Sequence, residues 1–166
     1  MKRTGGITTL GVLGIVFGLV GALLNGGIFL AVLLVKYTPP PPADDPQAAM
    51  IAALAQIGGL VFLSILCNVV TAVMIFISGV AMFRLRAWAR LGYIAACVAT
   101  LINRLLMFPM HLQAMGPGAT SSQIAAQVAG TVGDAVNMAF CVAAVWYLTR
   151  PRVAERFAPA ASTRRA

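Results

Sequence analysis

The chain has 166 residues, 60% of them hydrophobic and 10% charged, with a mean hydropathy of +0.91. Soluble domains hold roughly 45–50% apolar and about 25% charged residues, so a water-soluble fold of this size is excluded and the chain reads as an integral membrane protein. The net charge of +8 does not point to nucleic acid. The basic residues sit at the ends of apolar blocks, where they orient a membrane protein, and no basic face or aromatic platform lies outside the membrane.

About 100 apolar residues at ~20 per crossing allow four spans. The alternating segments of ~10 residues that build a transmembrane β-barrel do not occur. The predicted fold is all-α, a single four-helix membrane bundle over residues 1–157, with both termini inside and a short interfacial helix at its end.

The first predicted helix runs from about Ile7 to Val35 after Met1-Lys2-Arg3. Cleavable signal cores span only about 7–15 residues, so this longer block predicts an uncleaved span. Gly11, Gly14, Gly18 and Gly21 recur along it, and Asn25 continues the stripe. Small residues at this spacing let a second helix approach closely, from this chain, from another copy or from another membrane protein.

An outer loop follows, with Lys36, Tyr37-Thr38 and the run Pro39–Pro42, which favours a stiff polyproline II stretch. Asp45 before Pro46 matches an N-cap with proline at the first helical position. A helix from there to Phe83 would be ~57 Å long, against ~30 Å of hydrocarbon. Either it projects beyond the outer face, or it breaks at Gly58-Gly59 and its first part lies along the interface; the break is the favoured prediction.

The second predicted helix covers about Ile57 to Phe83, the third Leu91 to Leu112, and the fourth Ile124 to Leu148. An uncharged loop from Gln113 to Gln123 turns at Gly116-Pro117-Gly118. Lys2, Arg3, Arg84, Arg86, Arg90, Arg150, Arg152, Arg156, Arg164 and Arg165 fall on one side; Lys36 falls on the other with Asp44 and Asp45. The positive-inside rule then predicts that both termini and the short central loop are cytoplasmic. Residues 151–157 predict an interfacial helix whose arginines meet anionic lipid headgroups while Val153 and Phe157 dip inward. Residues 158–166 predict a disordered tail.

Ionisable residues inside a span are costly and usually face the bundle interior. Arg104 on the third predicted helix and Asp134 on the fourth are the two here. Counted from Arg90 and Arg150, they lie ~21 and ~24 Å deep, and Asn68 lies ~24 Å from Arg84. Three polar groups therefore share one layer. On the second helix Ser64, Asn68, Thr71 and Ser78 form a stripe. Tyr93, Cys97, Thr100, Arg104 and His111 do so on the third. On the fourth, Gln127, Thr131, Asp134 and Met138 align, with Asn137 on an adjoining face. Helical periodicity lets these stripes converge. The prediction is a buried Arg104–Asp134 ion pair whose hydrogen bonds are completed by Asn68 or Asn137. Such a pair either fixes helix register or forms part of a proton relay, ion path or polar pocket. The fourth helix also carries Ala126, Gly130, Gly133, Asn137, Cys141 and Ala144, a second small-residue face.

Catalytic and cofactor chemistry finds little support. His111 is the one histidine, which excludes bis-histidine haem ligation within the chain. Met107, Met110, His111 and Met115 include soft copper ligands, but methionine at this spacing is more often packing. Cys67, Cys97 and Cys141 lie within apolar blocks without a CxxC and read as small apolar residues. Asp134 is the only acid in the spans, so a paired-aspartate protease is unsupported, and the first helix lacks the embedded carboxylate of a four-helix drug exporter. No cofactor and no enzymatic activity are predicted.

Two segments carry a family signal: Phe83-Arg84-Leu85-Arg86-Ala87-Trp88-Ala89-Arg90, and Tyr147 through Phe157 with its Leu148-Thr149-Arg150-Pro151 core. They resemble signatures of small, mostly uncharacterised bacterial four-helix inner-membrane proteins. The resemblance implies a fold and topology and no activity. Trp88 at headgroup level between arginines, and Pro151 opening an interfacial helix, also make physical sense without it. The expected role is a non-catalytic accessory or scaffolding subunit packed against another membrane protein or a second copy; the alternative is a small transporter or channel using the Arg104/Asp134 layer.

Overall fold

A computed structural model describes residues 5–39, 51–52, 55, 57–113 and 121–157. The regular structure among them is all helical. Helices α1 (Gly5–Tyr37), α2 (Gly59–Met82), α3 (Ala87–Gln113) and α4 (Ser121–Thr149) precede a short α5 (Pro151–Ala154) and a 3-10 turn (Glu155–Phe157). Each of the first four contains a stretch long and apolar enough to cross a membrane. Only 11–28% of the most apolar windows is buried within the protein. Leu24, Leu34, Leu105 and Leu106 point outward. An apolar exterior of this extent needs lipid around it, and the helix is the form that satisfies every backbone group there. The chain is a multi-pass membrane protein.

The helices begin and end for local reasons. At the end of α1 both the amide and the hydroxyl of Thr38 donate to the Leu34 carbonyl, and Pro39 cannot continue the helix. Gly58 precedes α2 in an extended conformation (φ −64°, ψ 158°), so the chain is not helical through Gly58. Between α2 and α3 the amide of Leu85 donates to Met82, with Leu85 at φ 50°, a left-handed turn that more often holds glycine. Arg150 is extended (φ −60°, ψ 134°) ahead of Pro151, the residue before proline being pushed out of the helical region.

The helices pack in chain order, α1 on α2, α2 on α3 and α3 on α4. The glycine face of α1 is filled from within the chain. A Cβ at Gly18 would stand 2.6 Å from the Phe76 amide nitrogen, one at Gly14 2.6 Å from the Tyr93 ring, and one at Gly21 3.3 Å from the Ala72 methyl. On the α2 side, a Cβ at Gly79 would meet the Gly11 carbonyl oxygen at 3.0 Å. Of the partners open to the glycine stripe, α2 and Tyr93 of α3 take it.

The core gathers at one end, where Ile7, Met82, Ala89, Tyr93, Cys97, Cys141, Ala144, Leu148, Val153 and Phe157 form one cluster. Val153 and Phe157 thus pack against the protein's own helices, not into lipid as the interfacial reading expected, because the turn at Arg150-Pro151 folds α5 back on Leu148. Towards the other end α4 loosens. Gly130 and Gly133 have open space where a Cβ would stand, and Val128, Val132 and Val136 are exposed. The expected tail at 158–166, the Asp45-Pro46 cap and the Gly116-Pro117-Gly118 turn lie outside the described residues.

Candidate functional site

The matched depths of Arg104 and Asp134 bring them together. Arg104 Nη1 stands 2.9 Å from Asp134 Oδ1, with the side chains 23% and 30% exposed. One carboxylate oxygen and one guanidinium nitrogen at this distance form a charge-assisted hydrogen bond. The Nε of Arg104, however, is buried with no partner among the described residues.

The asparagines do not complete the pair in the way expected. Asn103 Nδ2 donates to Asn68 Oδ1 at 3.0 Å and to the Ser64 carbonyl at 3.4 Å. This clamp holds α3 to α2. Asn137 Oδ1 instead accepts from Cys141 Sγ at 3.5 Å, one turn along α4. Asn103, 8% exposed, was missed by the sequence reading. Its signal was available: an amide inside a span, adjacent to Arg104 and at the level of Asn68. A step of about 100° around the helix turns it to α2 while Arg104 faces α4.

What joins these groups is a cavity of about 160 Å³ with walls from all four long helices. Asn25, Asn68, Thr71, Thr100, Arg104 and Asn137 supply its polar lining, and Phe17, Ala72, Ile75, Val136 and Phe140 its apolar one. The Phe17 and Phe140 rings meet across α1 and α4 with centroids 5.2 Å apart. Asn137 and Val136 stay exposed, so α4 leaves this wall unsealed. Gly21 belongs to the lining, its missing side chain leaving room beside Asn25.

Several lining groups are already engaged with their own helices. Asn25 Nδ2 donates to the Gly21 carbonyl at 2.8 Å, Thr71 Oγ1 to Cys67 at 2.9 Å and Thr100 Oγ1 to Ala96 at 2.9 Å. These one-turn back-bonds satisfy the hydroxyl hydrogens and one of the two amide hydrogens of Asn25 within the helix. The oxygens of all three remain as acceptors.

Tyr93 is fully buried, and its hydroxyl has no partner among the described residues. It packs between Gly14 and the core end of α3 and α4, in one cluster with Cys97 and Cys141. All three cysteines are free thiols. Among the described residues no three His, Cys, Asp or Glu side chains come together to hold a metal. The side chains of Met110, His111 and Met115 lie outside the described residues, as do those of Ala126 and Gln127.

The residues expected at lipid headgroups divide. Arg84, Arg86, Trp88, Arg150, Arg152 and Arg156 are exposed, and the Arg150 guanidinium lies 3.7 Å above the Trp146 ring. Arg90 also has a partner within the chain: its Nε donates to the Leu148 carbonyl at 2.7 Å. It thereby satisfies one of the carbonyls left without an intrahelical partner at the end of α4, where a cation also meets the negative end of the helix dipole. No family model, curated protein or solved structure matches the chain.

Proposed function

We propose that the chain is a small bacterial inner-membrane protein, a four-helix bundle with both termini cytoplasmic, whose cavity binds or passes a small polar solute. The observation that carries this reading is a polar cavity, lined from four helices, at a guanidinium whose Nε has no partner among the described residues. A pair that only fixed helix register would gain from being dry and fully hydrogen bonded, since unpaired polar groups are expensive away from water. Drug-sized ligands occupy pockets of roughly 300–1,000 Å³, so the solute has only a few heavy atoms. The non-catalytic character, the absence of a cofactor and the relation to proteins sharing the loop and exit motifs belong to the same proposal.

Reconstitution tests it. Proteoliposomes should pass small polar solutes faster than protein-free vesicles, and Asn137→Leu, which blocks the cavity without touching the ion pair, should remove the difference. Equal rates with and without the protein would defeat the passage reading. A reporter fused after Ala166 should be active in the cytoplasm, which tests the topology.

A second reading, the accessory or scaffolding subunit, draws on α4. Gly130 and Gly133 leave space beside exposed Val132 and Val136, a face another membrane helix could take, whereas the α1 face is already used. Isolation in mild detergent as a strict monomer without a companion would count against it. Contact with anionic headgroups through the exposed arginines fits either reading.

A further inference from the structure

The hydrogen-bonding state of the lining narrows the solute, on the reading that this cavity is the functional site. Asn68 Oδ1 already accepts from Asn103, and Asn137 Oδ1 from Cys141. Each of these asparagines therefore has its amide hydrogens left to offer. Asn68 and Asn137 thus give the cavity two donor groups, beside the Arg104 side chain in its wall. One turn away along α2 and α3, Thr71 and Thr100 have their hydroxyl hydrogens tied to helix carbonyls, and on α1 Asn25 has one amide hydrogen tied to Gly21. Those three residues offer oxygens.

The charge is balanced too. The one cation in the lining is already paired with Asp134, and among the described residues no second charge lines the cavity. A bound anion or cation would bring an uncompensated charge into a low-dielectric site, at a large desolvation cost. We infer that the cavity takes a small uncharged solute carrying an acceptor oxygen together with N–H or O–H donors, the chemistry of urea, small carboxamides and glycerol, and that the Arg104–Asp134 pair makes it reject ions. The solute's oxygen faces Asn68 and Asn137, and its hydrogens face Asn25, Thr71 and Thr100. The same pair thus sets selectivity by being neutral as a unit.

The test uses the full chain in proteoliposomes, with stopped-flow light scattering for urea, acetamide and glycerol and ion-sensitive dyes for chloride and potassium. Wild type should pass urea or acetamide at least tenfold faster than bare vesicles, with no rise in either ion. Asn137→Leu and, independently, Asn25→Leu should each reduce that flux about tenfold. Asp134→Asn should admit chloride by leaving the guanidinium unpaired. Ion flux in wild type matching that of urea would overturn the inference while leaving passage intact. Flux of the neutral solutes unchanged in both leucine variants would also overturn it. If nothing passes, saturation-transfer NMR from the protein to acetamide decides: transfer abolished by Asn137→Leu supports the neutral-solute site and defeats passage. No transfer and no flux defeat both.

Discussion

Alanine substituted at two glycines of one helix should change stability in opposite directions. At Gly18 a new Cβ would stand 2.6 Å from the Phe76 nitrogen and 2.8 Å from its Cα. Both atoms belong to the backbone, so no side-chain rotation relieves the clash. Restoring an ordinary contact at 3.4 Å requires α1 and α2 to part by about 0.8 Å. A gap of 0.5–1 Å forfeits roughly a quarter to a half of each dispersion contact along the seam, and overpacking of this kind typically costs about 1–3 kcal/mol. Helix propensity returns ~1 kcal/mol, which leaves Gly18→Ala destabilised by up to about 2 kcal/mol. At Gly26 nothing lies within 4 Å of the added methyl, so Gly26→Ala should be neutral or gain up to ~1 kcal/mol. Denaturant titration in mixed micelles, followed by circular dichroism, measures the difference. Equal stability for the two variants would mean that α1 does not approach α2 closely at Gly18, and the argument for an internally filled glycine face would fail.

Other substitutions probe the polar layer and the helix ends. Arg104→Gln, Asp134→Asn and the double variant should give a coupling of about 0.6–1.7 kcal/mol, the range for polar pairs between membrane helices; strictly additive losses in the same titration would refute the pairing. Asn103→Leu should lose about 1 kcal/mol, because it breaks the clamp to Asn68 and Ser64, and thermal unfolding in detergent should show it. Arg90→Met should leave the Leu148 carbonyl without its partner, lowering stability by about 1 kcal/mol and speeding amide exchange at the end of α4. Unchanged exchange there would assign Arg90 to the headgroups alone.

Much of this arrangement is readable from residues alone, and the reasons are specific. Long apolar blocks separated by arginines fix four long helices because lipid allows a backbone few other choices. The ion pair is readable because Arg104 and Asp134 are the only charges deep in their spans and stand at similar depths. Asn103 escapes notice because depth says nothing about rotation, and its partner depends on how α3 turns towards α2. The glycine stripe is ambiguous for a related reason. A smooth face accepts any helix, and only the complementary Gly79 on α2 decides that the occupant comes from the same chain. Arg90, Val153 and Phe157 follow the general membrane-interface rules in the sequence, yet the bend at Pro151 gives them closer partners within the protein.

The uneven placement of the core has a mechanical consequence. Tightly packed side chains around Tyr93 and Leu148 tie the helices at one extremity, whereas α4 past Cys141 carries few anchoring neighbours. Opening free energy follows the local density of apolar contacts. Thermal motion should therefore spread the helices like the legs of tweezers, with the fulcrum near Cys141 and the widest travel beyond Gly133. Because Asn137 lies just past that fulcrum, small angular excursions of α4 would change the volume beside Arg104 without disturbing the knot of packed residues below.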